Sequence, residues 1–120
     1  MSDFTITIVG AGVIGASLGL ALKQIEDPPR LVGHDKELAN AQAGAKKGAF
    51  DQVEWNLVNA CEKADLIILA IPLNGIRPTF EAIARDLKQN VVITDTAPSK
   101  AEASTRFTIL RRHVASEPKK

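Results

Sequence analysis

Three glycines near the start of the chain have the spacing of a phosphate-binding turn. Residues 10–15 read Gly-Ala-Gly-Val-Ile-Gly, directly after the apolar run 4–9 and directly before a helical pattern. In such a turn Gly10 permits the tight bend, Gly12 lets a pyrophosphate approach the backbone, and Gly15 lets the helix pack close to the strand. Free N–H groups and the positive end of the helix dipole then face the phosphates. The pattern therefore predicts a dinucleotide site.

An acidic residue stands where this motif requires one, at the end of the second apolar segment. Asp35 follows Leu-Val-Gly-His and lies 20 residues after Gly15. A carboxylate there can accept hydrogen bonds from both ribose hydroxyls of NAD and would repel the 2′-phosphate of NADP. The neighbouring Lys36 softens that repulsion, so NAD is the predicted cofactor and NADP the less favoured one. The structural alternative is that the glycines only shape a turn and Asp35 caps the next helix.

A second polar cluster follows the apolar run 91–93. The chain continues Thr-Asp-Thr-Ala-Pro-Ser-Lys, which places Asp95 and Thr96 at the end of a predicted buried strand and Ser99 and Lys100 shortly after it. Small polar side chains at such a position either form a site or begin a turn into a helix. Lys100 either pairs with a substrate carboxylate or caps the strand end. The rest of the chain must decide between these interpretations.

Apolar strands and helical patterns alternate along the whole chain. The strand segments lack polar alternation, which is typical of strands buried on both faces of a parallel sheet. Strand-helix alternation predicts a doubly wound α/β domain of about five strands in the order 3-2-1-4-5. Strands are predicted at 4–9, 31–34, 49–53, 66–71 and 91–94, and helices at 13–24, 36–47, 59–63, 74–87 and 101–112.

Glycine and proline mark the predicted ends of several elements. Gly48 lies just past the second helix, where a stop is expected, and Pro78 is predicted in the first turn of the fourth helix. Ile71 and Pro72 follow the fourth strand, which together with the first strand flanks the point where the strand order reverses. We therefore expect these two residues to line the cofactor crevice, unless Pro72 only ends the strand.

Charge and composition argue against several classes of protein. The net charge is +1, from 15 Lys+Arg and 14 Asp+Glu, so neither nucleic acid nor a membrane surface is a predicted partner. The apolar N-terminal stretch lacks preceding basic residues and is interrupted by glycines, unlike a signal peptide or anchor. No cluster has metal-ligand spacing. The single cysteine, Cys61, is predicted to be a buried helix residue in a protein of the reducing cytoplasm.

The motifs together resemble the NAD-binding domain of prephenate and arogenate dehydrogenases. The resemblance rests on the segments IVGAGVIGASLGLALK, VGHD, AKKGAFDQ, ADLIILAIPL and VVITDTAPSK, and it covers about residues 4–100. Enzymes of this family oxidatively decarboxylate a cyclohexadienol acid in tyrosine biosynthesis, with hydride transfer to NAD. The resemblance implies a Rossmann fold, an oxidoreductase activity and a small cyclic carboxylic acid as the substrate.

The same resemblance implies a set of cofactor contacts at the carboxyl ends of the strands. The residues are Gly10, Gly12, Val13, Ile14, Gly15, Asp35, Lys36, Ile71, Pro72, Asp95 and Thr96. By the family pattern, the glycine turn holds the pyrophosphate and Asp35 the adenosine ribose. Asp95 and Thr96 would lie near the nicotinamide end.

Two departures from the family pattern bear on catalysis. Pro98 stands where the family has a serine, so the hydroxyl has moved to Ser99, while Lys100 keeps its spacing from Asp95. The family's catalytic His belongs to a His-Pro motif, and no His-Pro occurs in these 120 residues. Ser99 and Lys100 are the remaining candidates for catalysis. The alternative function is a nucleotide-binding module or partner subunit without turnover.

The predicted domain organisation is one Rossmann domain over residues 1–113 and a disordered tail over 114–120. The family's sixth strand and its helical dimerisation and substrate domain have no counterpart in the predicted elements. Without a sixth strand the fifth would be an open edge, which proteins usually cover or pair. We therefore expect a homodimer, a further C-terminal domain, or segment 101–113 to cover this edge.

Overall fold

Five short apolar segments form one parallel sheet. The computed structural model describes residues 3–96 and gives the strand order β3-β2-β1-β4-β5, as predicted. All four neighbouring pairs are parallel, and β1 is the central strand. The strands are β1 Thr5–Val9, β2 Arg30–His34, β3 Gln52–Val53, β4 Leu66–Leu69 and β5 Val92–Asp95.

Helices connect successive strands, so the α/β class predicted for the chain is confirmed. Because parallel neighbours need crossover connections, each helix returns the chain to the amino edge of the sheet. The helices are α1 Val13–Leu22, α2 Leu38–Lys46, α3 Leu57–Cys61 and α4 Leu73–Ile83, the last followed by the 3-10 turn Ala84–Asp86. Strand-to-helix junctions at the carboxyl edge are therefore where a site can be assembled.

The central strand feeds a hydrophobic core on each face of the sheet. Ile6 and Ile8 of β1 pack into one core, which α1 and α2 cover, while Val9 packs into the other, which α3 and α4 cover. The Thr7 hydroxyl is fully buried on the α3 side and donates a hydrogen bond to the carbonyl of Ala60. Past their first residues, β1, β2 and β4 are buried on both faces, as expected of the inner strands of a parallel sheet, whereas the edge strand β5 alternates exposed and buried residues.

The α2 face packs closely because small residues leave room for one aromatic ring. Cβ atoms on Gly33 and Gly44 would lie 2.4 and 2.6 Å from ring atoms of Phe50. Phe50 is itself only 5% exposed. The ring thus fills the space between β2 and α2, and any side chain at either glycine would displace it.

The end of α2 follows the sequence prediction. Gly48 has a φ of 92°, a left-handed conformation that favours glycine. Its N–H donates to the carbonyl of Ala45, and the N–H of Ala49 donates to the carbonyl of Gly44. These two bonds form a Schellman motif, which satisfies the last carbonyls of the helix.

Two details of the predicted elements were wrong. Pro78 is not in the first turn of α4 but is the sixth residue of that helix, because the helix begins at Leu73. β3 contains only Gln52 and Val53, since the residues before it turn from α2 into the core. Local sequence patterns predict that an element exists more accurately than they predict where it begins and ends, because the ends depend on tertiary hydrogen bonds.

Several predictions fall outside the described residues 3–96. They are the helix at 101–112, the domain limit at 113, the tail 114–120 and the catalytic candidates Ser99 and Lys100. Among the described strands, β3 and β5 are the two edges of the sheet. No helix in this part of the chain has the length and apolarity needed to cross a membrane.

Two aspartates join neighbouring strands at the amino edge of the sheet. Asp65 accepts hydrogen bonds from the N–H of Thr5 and from Lys88 Nζ, each at 2.8 Å. The Lys88 hydrogen bond is the largest cause of a pKa of Asp65 below its ordinary value. Carboxylates at the amino edge therefore stabilise the fold by joining neighbouring strands. The carboxyl edge, where a site can be assembled, lies at the other end of the strands.

Asp51, which directly precedes β3, plays the corresponding role between β2 and β3. It accepts a hydrogen bond from the N–H of Leu31 at 2.8 Å and pairs with Lys23 at the end of α1. Burial raises the pKa of Asp51, but the bonds from Lys23 and Leu31 and the charges of Lys23 and Arg30 outweigh it, and the pKa is lowered.

Candidate functional site

The glycine turn after β1 is built by close backbone contacts. The N–H of Gly10 donates to the carbonyl of His34 at 2.8 Å, and Gly10 has a φ of 102°. A Cβ on Gly10 would lie 2.3 Å from the carbonyl oxygen of Ala70, and one on Gly15 would lie 1.8 Å from the carbonyl oxygen of Gly10. Gly10 and Gly15 are therefore required by the fold itself.

Gly12 differs from the other two glycines of the turn. Its φ of −73° suits any residue, and a Cβ placed on it would meet no described atom within 4 Å. Steric contact within the described residues does not require a glycine here, and the N-cap position merely favours one over alanine. An approaching group that needs the space next to the backbone does explain it, which is the role that the sequence motif assigns to this position.

The amino end of α1 opens beside Gly12. None of the side chains in residues 3–96 caps this ten-residue helix, and its first turn contains no acidic residue. The N–H groups of its first turn have no acceptor within the helix and carry the positive end of its dipole. Val13 and Ile14 are 86% and 57% exposed in that turn. The arrangement suits an anionic group such as a phosphate.

Asp35 joins the end of β2 to this turn. One carboxylate oxygen accepts the N–H of Ala11 and the other accepts the N–H of Glu37, both at 2.8 Å. A carboxylate offers about four acceptor positions, so each oxygen keeps one for a hydroxyl group. Asp35 does not cap α2, whose N-cap is Glu37. Lys36 is exposed beside it.

The residues after β4 border the other side of the turn. The N–H of Ala70 donates to the carbonyl of Val9 at 2.8 Å, so the β4 end stays aligned with the end of β1. A Cβ on Gly10 would lie 2.9 Å from the Ile71 side chain. Pro72 is exposed and is the N-cap of α4. The two residues therefore lie where the strand order reverses, as predicted.

The end of β5 continues the same edge. Asp95 is 6% exposed and lies opposite Leu69 in the strand register. The N–H of Thr96, a half-buried residue, donates to the carbonyl of Leu69 at 3.3 Å. The structure thus brings the described site residues to one edge, with the glycine turn at the centre and Asp95 and Thr96 at one side.

Sequence reasoning missed how strongly the ends of β2 and β3 are tied together. His34 is 7% exposed, and its Nδ1 donates to the carbonyl of Glu54 at 2.8 Å. The N–H of Glu54 donates to the carbonyl of Gly33 at 3.0 Å. The sequence context of Trp55 favours ordinary loop packing over stacking on a ring of a partner or cofactor, yet its side chain is 72% exposed directly after these bonds. The signal that could have revealed these contacts is the strand register, which cannot be read from the sequence.

The thiol of Cys61 is suppressed by burial. Cys61 is fully buried in α3, and desolvation raises the pKa of its thiol to about 12. The prediction of an inert helix cysteine is consistent with this, because the reactive thiolate is suppressed. Within residues 3–96, no three His, Cys, Asp or Glu side chains are grouped to hold a metal ion.

Comparison with known families assigns the domain. The family described as the nucleotide-binding domain of prephenate dehydrogenase matches residues 18–118. This chain belongs to that family. The match confirms the resemblance drawn from the sequence motifs. It starts after the glycine turn, so the turn is supported separately by its own geometry.

Individual relatives agree with the family. The prephenate dehydrogenase of Lactococcus lactis subsp. cremoris (strain MG1363) is 36% identical over 98 residues, which are 81% of this chain and 27% of that protein. Our nucleotide-binding domain therefore spans 27% of the length of this curated relative.

Solved structures of dehydrogenases share the fold. Synechocystis arogenate dehydrogenase has a TM-score of 0.79 and 26% identity, over 89% of this chain and 37% of that one. The prephenate dehydrogenase of A. aeolicus, crystallised in complex with hydroxyphenyl propionate and NAD+, has a TM-score of 0.80 and 18% identity, over 97% and 40% of the two chains. At that identity the second likeness shows the fold alone.

Proposed function

We propose that this nucleotide-binding domain binds NAD and serves a prephenate or arogenate dehydrogenase-type oxidoreductase. The observation that carries the proposal is the open space at Gly12 over the uncapped amino end of α1. Asp35 contacts the same turn through the N–H of Ala11. A phosphate position and a ribose position are thus rigidly linked, which fits a dinucleotide better than a free anion.

The residues of the domain would act by binding and orienting. The backbone at Gly12, Val13 and Ile14 would hold the pyrophosphate, with Gly10 and Gly15 keeping the turn in shape. Asp35 would accept hydrogen bonds from the adenosine ribose with the acceptor positions that its two backbone contacts leave. Bound NAD supplies the hydride acceptor, and the protein supplies position and electrostatics.

The remaining site residues would face the nicotinamide half. Ile71 and Pro72 would border the nucleotide as an apolar wall, and Asp95 and Thr96 would lie nearest the nicotinamide. Ser99 and Lys100 remain the candidates for chemistry, and Lys100 would pair with the carboxylate of the substrate. The substrate would be a small cyclic carboxylic acid, from which NAD would accept a hydride as the acid is oxidatively decarboxylated.

The partners of the domain are part of the same proposal. The relative from Lactococcus lactis is far longer than this chain. We propose that a further helical domain or a second copy completes the substrate site and covers the β5 edge. Neither a nucleic acid nor a membrane is a proposed partner, and the proposed location is the cytoplasm.

A titration with both cofactors tests the binding claim. Calorimetry of the unaltered chain should give tighter binding of NAD than of NADP, because the Asp35 carboxylate accepts ribose hydroxyls and repels a 2′-phosphate. Asp35→Asn should weaken NAD binding about tenfold and narrow the preference for NAD. Lys36→Gln, which removes the adjacent charge, is the matched control and should widen that preference. Tighter binding of NADP by the unaltered chain would refute the role of Asp35.

Turnover tests the activity. Oxidation of prephenate and arogenate should be followed by NADH absorbance with the full natural protein that contains this domain. Turnover of either substrate supports the oxidoreductase. NAD binding without turnover of either would favour the alternative, a nucleotide-binding module or partner subunit.

A further inference from the structure

Trp55 is an exposed aromatic residue that follows β3, at the same edge of the sheet where Asp35 follows β2. Gly33 of β2 lies opposite Val53 of β3, and Asp35 and Trp55 each lie two residues beyond this pair. Neighbouring strands are separated by roughly 4.8 Å. A ligand whose ribose is held by Asp35 would therefore have its attached base at the same edge of the sheet as the Trp55 backbone.

The backbone on both sides of Trp55 is firmly held. Before it, Glu54 is bonded through its N–H to Gly33 and through its carbonyl to the ring of His34. After it, the N–H of Asn56 donates to the Glu54 carboxylate at 3.2 Å, and the Asn56 side chain caps α3. The loop therefore presents Trp55 from a fixed backbone.

The indole itself is left open. Trp55 is 72% exposed although it is the largest side chain in the chain, and its flanking backbone is fully engaged. A large apolar ring exposed on a rigid support gains free energy when another flat surface covers it. Packing within the described residues does not use this surface.

We infer that Trp55 stacks on the adenine ring of the bound dinucleotide. The inference rests on the proposed function, because Asp35 must hold the adenosine ribose. Adenine is the occupant that fits: it is flat, it is attached to the ribose at Asp35, and base-aromatic stacking needs no hydrogen-bond partner from the protein. Trp55 would then add affinity at the adenosine end, remote from the nicotinamide.

A fluorescence titration tests this directly, since Trp55 is the single tryptophan and the chain has no tyrosine. AMP and NAD should both quench the emission of Trp55 on stacking, whereas nicotinamide mononucleotide, which lacks adenine, should leave it unchanged. Calorimetry in parallel should show AMP and NAD affinities about tenfold lower for Trp55→Ala. Trp55→Phe, which keeps a ring, should lose about threefold.

Ile25→Ala is the matched control, because Ile25 is 50% exposed and lies in the connection at the opposite edge of the sheet. It should bind AMP and NAD like the unaltered chain. Unchanged affinities in Trp55→Ala, or NAD binding without a change in Trp55 emission, would overturn the inference and leave the proposed function standing. If the unaltered chain binds neither nucleotide by calorimetry, the proposed function fails and the inference fails with it.

Discussion

At the residue scale, the three glycines of the turn have two different causes. Gly10 and Gly15 are required because a Cβ would collide with the carbonyl oxygens of Ala70 and Gly10. No described atom lies within 4 Å of a Cβ on Gly12, and its φ is ordinary. A single sequence motif therefore combines two positions that the fold requires with one that it does not, for which we propose the ligand as the reason, and substitution can separate them.

Gly12→Ala should mainly weaken NAD binding, whereas Gly15→Ala should mainly destabilise the fold. Gly12→Ala should lower the free energy of unfolding by at most about 1 kcal/mol, because only the N-cap preference changes. It should weaken NAD binding about tenfold, because the new methyl group occupies the space of the pyrophosphate. Gly15→Ala should cost roughly 3 kcal/mol of stability through overpacking. Urea unfolding and calorimetric NAD titration measure the two quantities.

Replacement of a glycine inside another helix separates the general effect of replacing glycine by alanine from an effect that is specific to the candidate site. Gly75→Ala lies in α4, where the new Cβ would make an ordinary contact with Ile71 at 3.6 Å. It should leave stability the same or slightly higher, because alanine is the better helix former. A Gly12→Ala variant that binds NAD normally would remove the ligand as the reason for this glycine.

At the element scale, the two edges of the sheet are specialised. The carboxyl edge contains the turn after β1 and the ends of β2, β4 and β5. At the amino edge, Asp65 accepts a hydrogen bond from the N–H of Thr5, the first residue of β1. Asp51 accepts one from the N–H of Leu31, the second residue of β2. Stability and binding are thus separated along the strand direction, as in other open parallel sheets.

The lowered pKa of Asp65 gives a pH-dependent prediction. Because the folded-state pKa lies below the ordinary value of 3.8, the ionised carboxylate stabilises the fold above that pH, and the stabilisation is lost as the pH falls further. Asp65→Asn should therefore lower the free energy of unfolding by about 1 kcal/mol at neutral pH. The difference from the unaltered chain should shrink in acid. Urea unfolding at several pH values measures it.

An exposed carboxylate provides the comparison. Asp86→Asn, in the 3-10 turn after α4, removes the same charge without a strand N–H to hold. It should leave the unfolding free energy nearly unchanged at both pH values. Equal losses in the two variants would mean that net charge, and not the strand contact, stabilises the fold.

At the scale of the whole molecule, one sheet supports two hydrophobic cores. Phe50 anchors the core on the α2 side and Phe80 the core on the α4 side. They are 5% and 2% exposed. Since β1 and β4 contribute side chains to both cores, damage to either should be felt by the entire domain.

Truncation of either ring should therefore produce the same kind of unfolding. Phe50→Ala and Phe80→Ala should each cost about 3 kcal/mol in urea, through lost burial and a cavity. Each variant should unfold in a single transition, because the two cores share one sheet. The dependence of the unfolding free energy on urea concentration should be the same as in the unaltered chain. Phe4→Ala, at a ring that is 46% exposed, should cost less than half as much. Two separate transitions in either core variant would show that the cores unfold independently.

Much of the fold could be predicted from residue patterns. The apolar runs without polar alternation indicated a parallel sheet, and the glycine turn after the first strand fixed where the strand order reverses. The ends of elements were less accurate: Pro78 lies inside α4 and β3 contains two residues. Helix starts and strand lengths depend on hydrogen bonds to other segments, which local patterns do not contain.

For the candidate site, the sequence indicates which residues are involved and not how they are connected. The spacing of Gly10, Gly12, Gly15 and Asp35 determines which residues can contact a dinucleotide, because chain geometry brings a turn after one strand beside the end of the next. Only the tertiary structure decided that the Ala11 N–H donates to Asp35, and that Trp55 is exposed just beyond β3, at the edge where Asp35 follows β2. Strand register and side-chain burial are set by packing across the sheet, which no local run of residues specifies.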